Sequence, residues 1–130
     1  MAATGATAPG GRAVLTLPPS VKIWCATTPT DLRRGPDGLS ALVRSQLHAD
    51  PLSGHLFVFF NRKADRLKIL YWDRDAICVW YRRLERGRFH FPTADAASLE
   101  LTPGQLQMIF DGVDVEHVRR FKRYQRPQPA

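Results

Sequence analysis

Three short apolar runs follow one another in the middle of the chain, separated only by short polar connections. They read "HLFVFFN" (55–61), "RLKILYWD" (66–73) and "AICVWYRRL" (76–84). The first two are joined by "RKAD", and the third comes after the turn "DRD". β-Branched and aromatic residues fill the runs, and connections of this length are typical of hairpins. This part of the chain is therefore predicted to form neighbouring antiparallel strands.

Two further strands are predicted outside these runs. "VKIWCATTP" (21–29) is rich in β-branched and aromatic residues and is stopped by Pro29. "GRFHFP" (87–92) has a similar composition and is closed by Pro92. Proline cannot donate a hydrogen bond to a sheet, so it commonly marks the end of a strand. Residues 93–98, "TADAAS", are predicted to be a loop.

Two segments are predicted to be helices. Apolar residues recur at helical spacing between residues 38 and 50, at Leu39, Leu42, Val43 and Leu47. Near the end of the chain, Thr102, Pro103 and Gln105 supply an N-cap, a proline at the first helical position and a capping-box partner. Gly112 is placed to end this second helix.

The order of these elements predicts a single small α+β domain. We expect a three- to five-stranded, mostly antiparallel sheet with two helices packed on one face. Residues 1–16 are rich in Ala, Gly, Thr and Pro and are expected to be disordered. Residues 17–116 form the predicted domain, and residues 117–130 are predicted to be a basic, flexible tail.

The chain shows no sign of a membrane or secretory protein. Its longest apolar stretch, 56–60, is far too short to span a bilayer. The N-terminus lacks the pattern of a signal peptide, so a cytoplasmic location is expected. Cys25 and Cys78 could form a disulfide, but two buried free thiols are the favoured interpretation. Neither the cysteines nor the histidines have the spacing of a metal site, and no metal or other cofactor is predicted.

Positive charge is concentrated in the hairpin region. The chain carries a formal charge of +7, and residues 62–88 contain nine basic and four acidic side chains, a net charge of +5. Fifteen of the 19 basic residues are arginines, which favour planar, bidentate contacts with phosphate or carboxylate. GC-rich coding would produce the same bias, so composition alone does not decide between the two explanations.

Alternation along the strands mixes basic and aromatic side chains on one face. Arg66, Lys68 and Trp72 share a face of their strand, and Trp80 and Arg82 would join them if the registers align. Such a face could bind nucleic acid, with arginines on phosphates and aromatic rings on bases. Alternatively, it is a solvated face on which arginine stems cover tryptophan rings. The candidate nucleic-acid-binding residues are Arg62, Lys63, Arg66, Lys68, Trp72, Arg82, Arg83, Arg86 and Arg88.

No catalytic constellation is apparent. Asp73 and Asp75 could hold a hard cation, but a turn between strands favours aspartate for conformational reasons, and the turn is the preferred interpretation. Neither a nucleophile elbow nor a phosphate-binding glycine loop occurs. We therefore predict no catalytic residue and expect that the protein is not an enzyme.

Several phrases of the sequence resemble a known family. They are "LPPSVKIWCATTPTDLRRGPDGLSALV", "DPLSGHLFVFFNRKADRLKILYWD", "CVWYRRLERGRFHFP" and "LTPGQLQMIFDGVD". In order, over about residues 17–114, they resemble the small accessory protein of bacterial insertion sequences of family 66, the TnpB or Orf-two-like family. The resemblance implies a role in DNA transposition beside a DDE-type transposase and a second small accessory protein. It transfers no catalytic position.

Two functional hypotheses follow from the residues and the resemblance together. In the first, the protein is a transposition accessory factor that binds DNA, such as the element ends, and/or the transposase through the basic and aromatic face. In the second, it is an assembly factor that docks the transposase or the partner accessory protein without contacting DNA. A metal-dependent nuclease that uses Asp73 and Asp75 is the least favoured hypothesis.

Overall fold

A five-stranded sheet with one helix on each face organises the chain. The computed structural model describes residues 17–112. The elements in chain order are β1 (Ile23–Ala26), α1 (Pro36–Ser45), β2 (Leu56–Phe60), β3 (Arg66–Asp73), β4 (Ala76–Arg83), β5 (Ser98–Leu101) and α2 (Pro103–Phe110). The strand order is β4-β3-β2-β1-β5, with β1 and β2 parallel and the other neighbours antiparallel. The predicted α+β class with a mostly antiparallel sheet is confirmed. The predicted disordered segment 1–16 and flexible tail 117–130 lie outside the described residues.

The meander β2–β3–β4 forms because its two connections have the right turn chemistry. Between β2 and β3, the side-chain oxygen of Asn61 accepts hydrogen bonds from the backbone N–H groups of Asp65 (3.1 Å) and Arg66 (3.0 Å). Between β3 and β4, only Arg74 and Asp75 lie outside the strands, and Arg74 adopts the left-handed conformation with φ of +61°. Both connections are therefore tight hairpin turns.

The fifth strand is not the one that the sequence suggested. Residues 87–92, predicted to be a strand, form none. Instead, residues 98–101, which run from the last residue of the predicted loop to the residue before the predicted N-cap Thr102, form β5 and pair with β1. The Phe89 side chain is almost completely buried, and Phe91 stacks on Phe60 with 4.1 Å between ring centroids. The apolar residues of this segment thus cover the sheet with their rings instead of extending it through the backbone.

The two helices lie on opposite faces of the sheet, and the expectation that they share one face is wrong. Alternate residues of β2 point in opposite directions, and all five are buried. Val58 contacts the core on the side of α2, whereas Phe57 contacts the core on the side of α1. A strand that is apolar on both faces needs cover on both. The two sides are called here the α1 face and the α2 face.

The start of α2 agrees with the sequence, whereas α1 ends at Ser45, five residues before the predicted end at residue 50. At the start of α2, the Thr102 hydroxyl accepts from the Gln105 N–H at 3.0 Å, and the Gln105 side chain accepts from the Thr102 N–H at 2.9 Å. The predicted capping box is therefore confirmed. Helix α1 begins at Pro36 without a side-chain cap. Within residues 17–112, no helix has the length and apolarity needed to cross a membrane.

The two cysteines are free. Cys25 lies on β1 and Cys78 on β4, with two strands between them, so their sulfur atoms are too far apart for a disulfide. Burial raises the pKa of the Cys25 thiol to about 12. Cys78 is only half-buried. The favoured interpretation of two free thiols is confirmed, although only Cys25 is fully buried.

Candidate nucleic-acid interface

An open cleft lies on the α1 face at the end of the sheet that carries the β2–β3 turn. Its volume is about 750 Å³, and its walls are the loop after β1 (29–33), the turn 61–65 and the adjoining parts of β3 and β4. It is called here the basic cleft. Its charged lining residues are Arg33, Arg62, Lys63, Arg66 and Lys68 together with Asp31 and Asp65.

Backbone hydrogen bonds hold the walls of the basic cleft in place. The N–H of Thr30 donates to the carbonyl of Phe60 at 2.7 Å, which fixes the loop after β1 against the end of β2. On the other side, the carbonyl of Ala64 accepts from the N–H of Phe89 at 2.7 Å, and that of Asp65 accepts from Leu84 at 2.8 Å. The shape of the cleft is thus set by the fold and not by exposed side chains alone.

The two carboxylates of the cleft are held in their charged form. Asp31 forms an ion pair with Arg33 at 2.8 Å, and the hydrogen bond from Arg33 holds the pKa of Asp31 well below its usual range. Asp65 accepts a 2.7 Å hydrogen bond from the Asn61 amide, which also lowers the pKa of Asp65. Five cations and two carboxylates give the lining a net charge of +3.

Four of the five cations have no carboxylate partner in the part of the chain that the structure describes, and one of these four, Lys68, donates to a backbone carbonyl. The ion pairs among residues 17–112 are Arg33 with Asp31 and Arg83 with Glu85. Arg62, Lys63 and Arg66 are exposed and form neither. Their charges are therefore available to an external anion.

Lys68 and Tyr81 form the floor of the cleft. They are direct partners across β3 and β4 and share the α1 face. The ammonium of Lys68 donates to the carbonyl of Arg34 at 3.0 Å and lies over the Tyr81 ring, 5.7 Å from its centroid. Tyr81 is nevertheless 49% exposed. The cleft thus contains an accessible aromatic ring beside a fixed cation.

The structure brings together four of the nine predicted site residues, Arg62, Lys63, Arg66 and Lys68. Arg83 lies across from Arg66 on the same face, with its guanidinium 3.5 Å from the Glu85 carboxylate. Trp72 also lies on the α1 face but is half-buried near the far end of β3. Arg86 and Arg88 are exposed in the segment that follows β4 and do not line the cleft.

Arg82 lies on the opposite face, as does Trp80, so the expectation that both share a face with Arg66 is wrong. The register pairs Arg66 with Arg83 and Lys68 with Tyr81, which turns the even-numbered residues of β4 toward α2. The Arg82 guanidinium lies 5.5 Å from the centroid of the Phe110 ring, and the Trp80 ring lies 5.1 Å from it. For Arg82, the alternative of an arginine that packs on an aromatic ring therefore applies.

Sequence reasoning missed Tyr81, which it had assigned to the side away from the candidate basic residues of β3. The available signal was the turn after β3. A turn of two residues, Arg74 and Asp75, places Asp73 opposite Ala76 and hence Lys68 opposite Tyr81. A turn of three residues would have reversed the faces of β4 relative to β3.

Asp73 and Asp75 flank the left-handed residue of the β3–β4 turn. The backbone N–H of Asp75 donates to the carbonyl of Asp73 at 2.7 Å. Across residues 17–112, no group of three or more His, Cys, Asp or Glu side chains is arranged to hold a metal ion. The aspartates therefore have a sufficient explanation in the turn.

Comparisons with known proteins give a consistent assignment. Residues 21–120 match the family described as IS66 Orf2 like protein. The chain is 40% identical over 107 residues to "Uncharacterized protein y4jC" of Sinorhizobium fredii, which covers 82% of this chain and 91% of that protein. It is 38% identical over 98 residues to "Uncharacterized protein y4hO" of the same organism, with 75% and 85% covered. No solved structure matches. Because the family match spans most of the chain, this protein belongs to the IS66 Orf2-like family.

Proposed function

We propose that this protein is a non-enzymatic accessory factor that binds DNA phosphates through the basic cleft during transposition. Membership of the IS66 Orf2-like family implies a transposition-associated accessory role. The proposal adds a molecular contact to that role. The residues proposed to contact the phosphates are Arg62, Lys63 and Arg66, with Lys68 on the floor of the cleft.

The observation that carries the proposal is the group of unpaired cations around a concave surface. Arg62, Lys63 and Arg66 are exposed, lie on one turn and the strand that follows it, and have no carboxylate partner among residues 17–112. Arginine presents a planar fork of donors that matches a phosphate group. Neutralising phosphates with such groups releases condensed counterions, and this release supplies most of the affinity of nonspecific DNA binding.

The docking alternative receives less support from the aromatic residues on which it relied. Trp80 packs against Phe110, and Trp72 is half-buried, so neither presents a fully exposed ring to a partner protein. Large apolar exposed patches are the usual mark of a protein interface. An acidic surface of the transposase would still fit the same cations, and the experiment below separates the two partners.

The proposal is tested by DNA affinity at several salt concentrations. A labelled duplex from the element end and a scrambled duplex are titrated by fluorescence anisotropy with the wild type and with the double variant Arg62→Gln/Arg66→Gln. We expect both duplexes to bind alike, because phosphate contacts carry no sequence information. We expect the double variant to reduce the slope of log K against log salt by about 2, one unit for each lost contact.

A second double variant, Lys22→Gln/Arg44→Gln, is the matched control. Lys22 and Arg44 are exposed and lie outside the cleft, so this variant removes the same formal charge from a different surface. It should leave the slope unchanged. The proposal fails if the wild type binds neither duplex nor single-stranded DNA at low salt, or if the control variant weakens binding as much as the cleft variant. Co-purification with the transposase that survives nuclease treatment, together with no DNA binding, would establish docking instead.

A further inference from the structure

We infer that the basic cleft binds single-stranded DNA in preference to duplex, with one base stacked on Tyr81. The inference rests on the proposed function and specifies the form of DNA that the cleft accepts. It begins from Tyr81, the aromatic side chain of the lining, which phosphate binding does not explain. A tyrosine on the floor of a cationic cleft adds nothing to the attraction between the cations and phosphates.

Tyr81 is exposed beyond what packing requires. Within residues 17–112, the large hydrophobic side chains that stand out as exposed are Tyr81 at 49% and Leu52 at 46%, and of these only Tyr81 lines the cleft. Its neighbours on the strand differ from it, since Trp80 packs on Phe110 and Val79 packs against the core of the α1 face. The fold thus leaves an aromatic ring accessible in a cleft whose lining carries a net positive charge.

The surroundings of the ring suit a nucleotide. Lys68 is fixed by its hydrogen bond to the Arg34 carbonyl and lies over Tyr81. Arg66 is two residues further along the same face of β3, about 7 Å away at the usual rise of a strand. A base on the tyrosine would therefore have cations within reach of the phosphates on either side of it. Aromatic platforms beside cationic grooves are the common design of proteins that bind single strands.

The shape of the cleft disfavours a duplex. Its volume of about 750 Å³ is in the range of pockets that enclose small molecules. In a duplex the bases are stacked and paired inside, and only their edges are reachable through the grooves. A ring on the floor of the cleft cannot reach the face of a base that is paired and stacked inside a duplex. Tyr81 can stack only on a base that is already unpaired.

The test compares three 12-nucleotide DNA probes with the same number of phosphates: a single strand without self-complementarity, the same strand with abasic sites, and a hairpin duplex. Binding is measured by fluorescence anisotropy at one salt concentration. We expect Tyr81→Ala to weaken binding of the intact single strand by about 5- to 150-fold, the effect of losing one stacked base. Binding of the duplex and of the abasic strand should change less than twofold. Tyr81→Phe keeps the ring and should retain wild-type affinity.

Two further variants guard the interpretation. Tyr81→Leu keeps apolar bulk without an aromatic ring and should lose as much affinity as Tyr81→Ala. It tests the role of the ring if the alanine variant folds poorly. Leu52→Ala removes the other exposed apolar side chain, outside the cleft, and should have no effect.

The outcomes separate this inference from the proposed function. Binding of all three probes that is indifferent to Tyr81→Ala and Tyr81→Leu overturns the stacking inference and leaves the proposed function standing. An equal loss on the single strand and on the duplex also overturns it. Absence of wild-type binding to every probe overturns both.

Discussion

The two faces of the sheet differ in how completely the chain covers them. On the α2 face, the segment after β4 continues the cover beyond the helix, with Phe89 buried and Phe91 stacked on Phe60. On the α1 face, no comparable segment follows among the described residues, and Lys68 and Tyr81 remain accessible. The β2–β3 turn lies at the edge of both the covered part of the α2 face and the open part of the α1 face. An accessible surface thus exists where the chain supplies no second layer.

The same contrast separates two arginines on neighbouring strands. Arg82 lies on the covered face, with its guanidinium over the Phe110 ring. Arg66 lies on the open face and has no carboxylate partner within residues 17–112. Their side chains are chemically identical, so the face that each one occupies determines whether it contributes to packing or to charge. This comparison yields three predictions.

The largest expected effect concerns the two aromatic residues that distinguish the faces. Phe89→Ala should lower the free energy of unfolding by about 3–5 kcal/mol, because it removes a ring that is 2% exposed and leaves a cavity. Tyr81→Ala should cost less than about 1 kcal/mol, because the ring is half exposed and leaves no closed cavity. Urea denaturation followed by circular dichroism measures both. Similar losses for the two variants would show that the α1 face is as closed as the α2 face.

A smaller effect separates the two arginines. Arg82→Ala should destabilise the protein by about 1 kcal/mol through the loss of its contact with Phe110, and Arg66→Ala by no more than about 0.5 kcal/mol. For DNA affinity at low salt the order should reverse, with a loss for Arg66→Ala and little change for Arg82→Ala. Both variants lose one positive charge, so each is the control of the other. Equal changes in DNA affinity for Arg66→Ala and Arg82→Ala would contradict the contrast between the two faces.

The smallest effect concerns the turn that forms the rim of the cleft. Asn61→Ala should raise the pKa of Asp65 toward its ordinary value, because the Asn61 amide is the main group that lowers it. A carboxyl group whose pKa is lowered by folding stabilises the protein above its unfolded pKa, about 3.9. That contribution disappears as the pH falls through the lower, folded value. Carbon-detected NMR titration of the Asp65 carboxyl measures the shift directly. An unchanged pKa in the variant would contradict the assigned cause.

Most elements of the fold could be predicted from local sequence signals. The capping box of Thr102 and Gln105, the helical spacing of Leu39 and Leu42, and the runs that form the meander all act over a few residues. Such signals are specific because the physical interactions are themselves local. For the same reason, the two short turns were enough to predict that β2, β3 and β4 are neighbouring antiparallel strands.

The positions of side chains across the sheet could not be read from single strands. The two-residue turn at Arg74 and Asp75 decides whether Tyr81 or Arg82 faces the cleft, and one residue more would exchange them. Strand β5 was missed because its partner, β1, lies at the other end of the described chain. Phe89 and Phe91 have strand-like composition, but tertiary packing assigns their rings to the core.

The position of β1 between β2 and β5 has a consequence for the order of folding. The meander closes through short turns, whereas β1 must cross over through α1 to lie parallel to β2, and β5 must return from beyond β4 to reach it. Loop closure costs more entropy as the loop lengthens, so local hairpins form more readily than distant pairs. The β2–β4 meander, which supplies Arg62, Lys63 and Arg66, is therefore the segment expected to organise first. Docking of β1 would then add the far wall of the cleft, and pairing of β5 with β1 would complete the sheet.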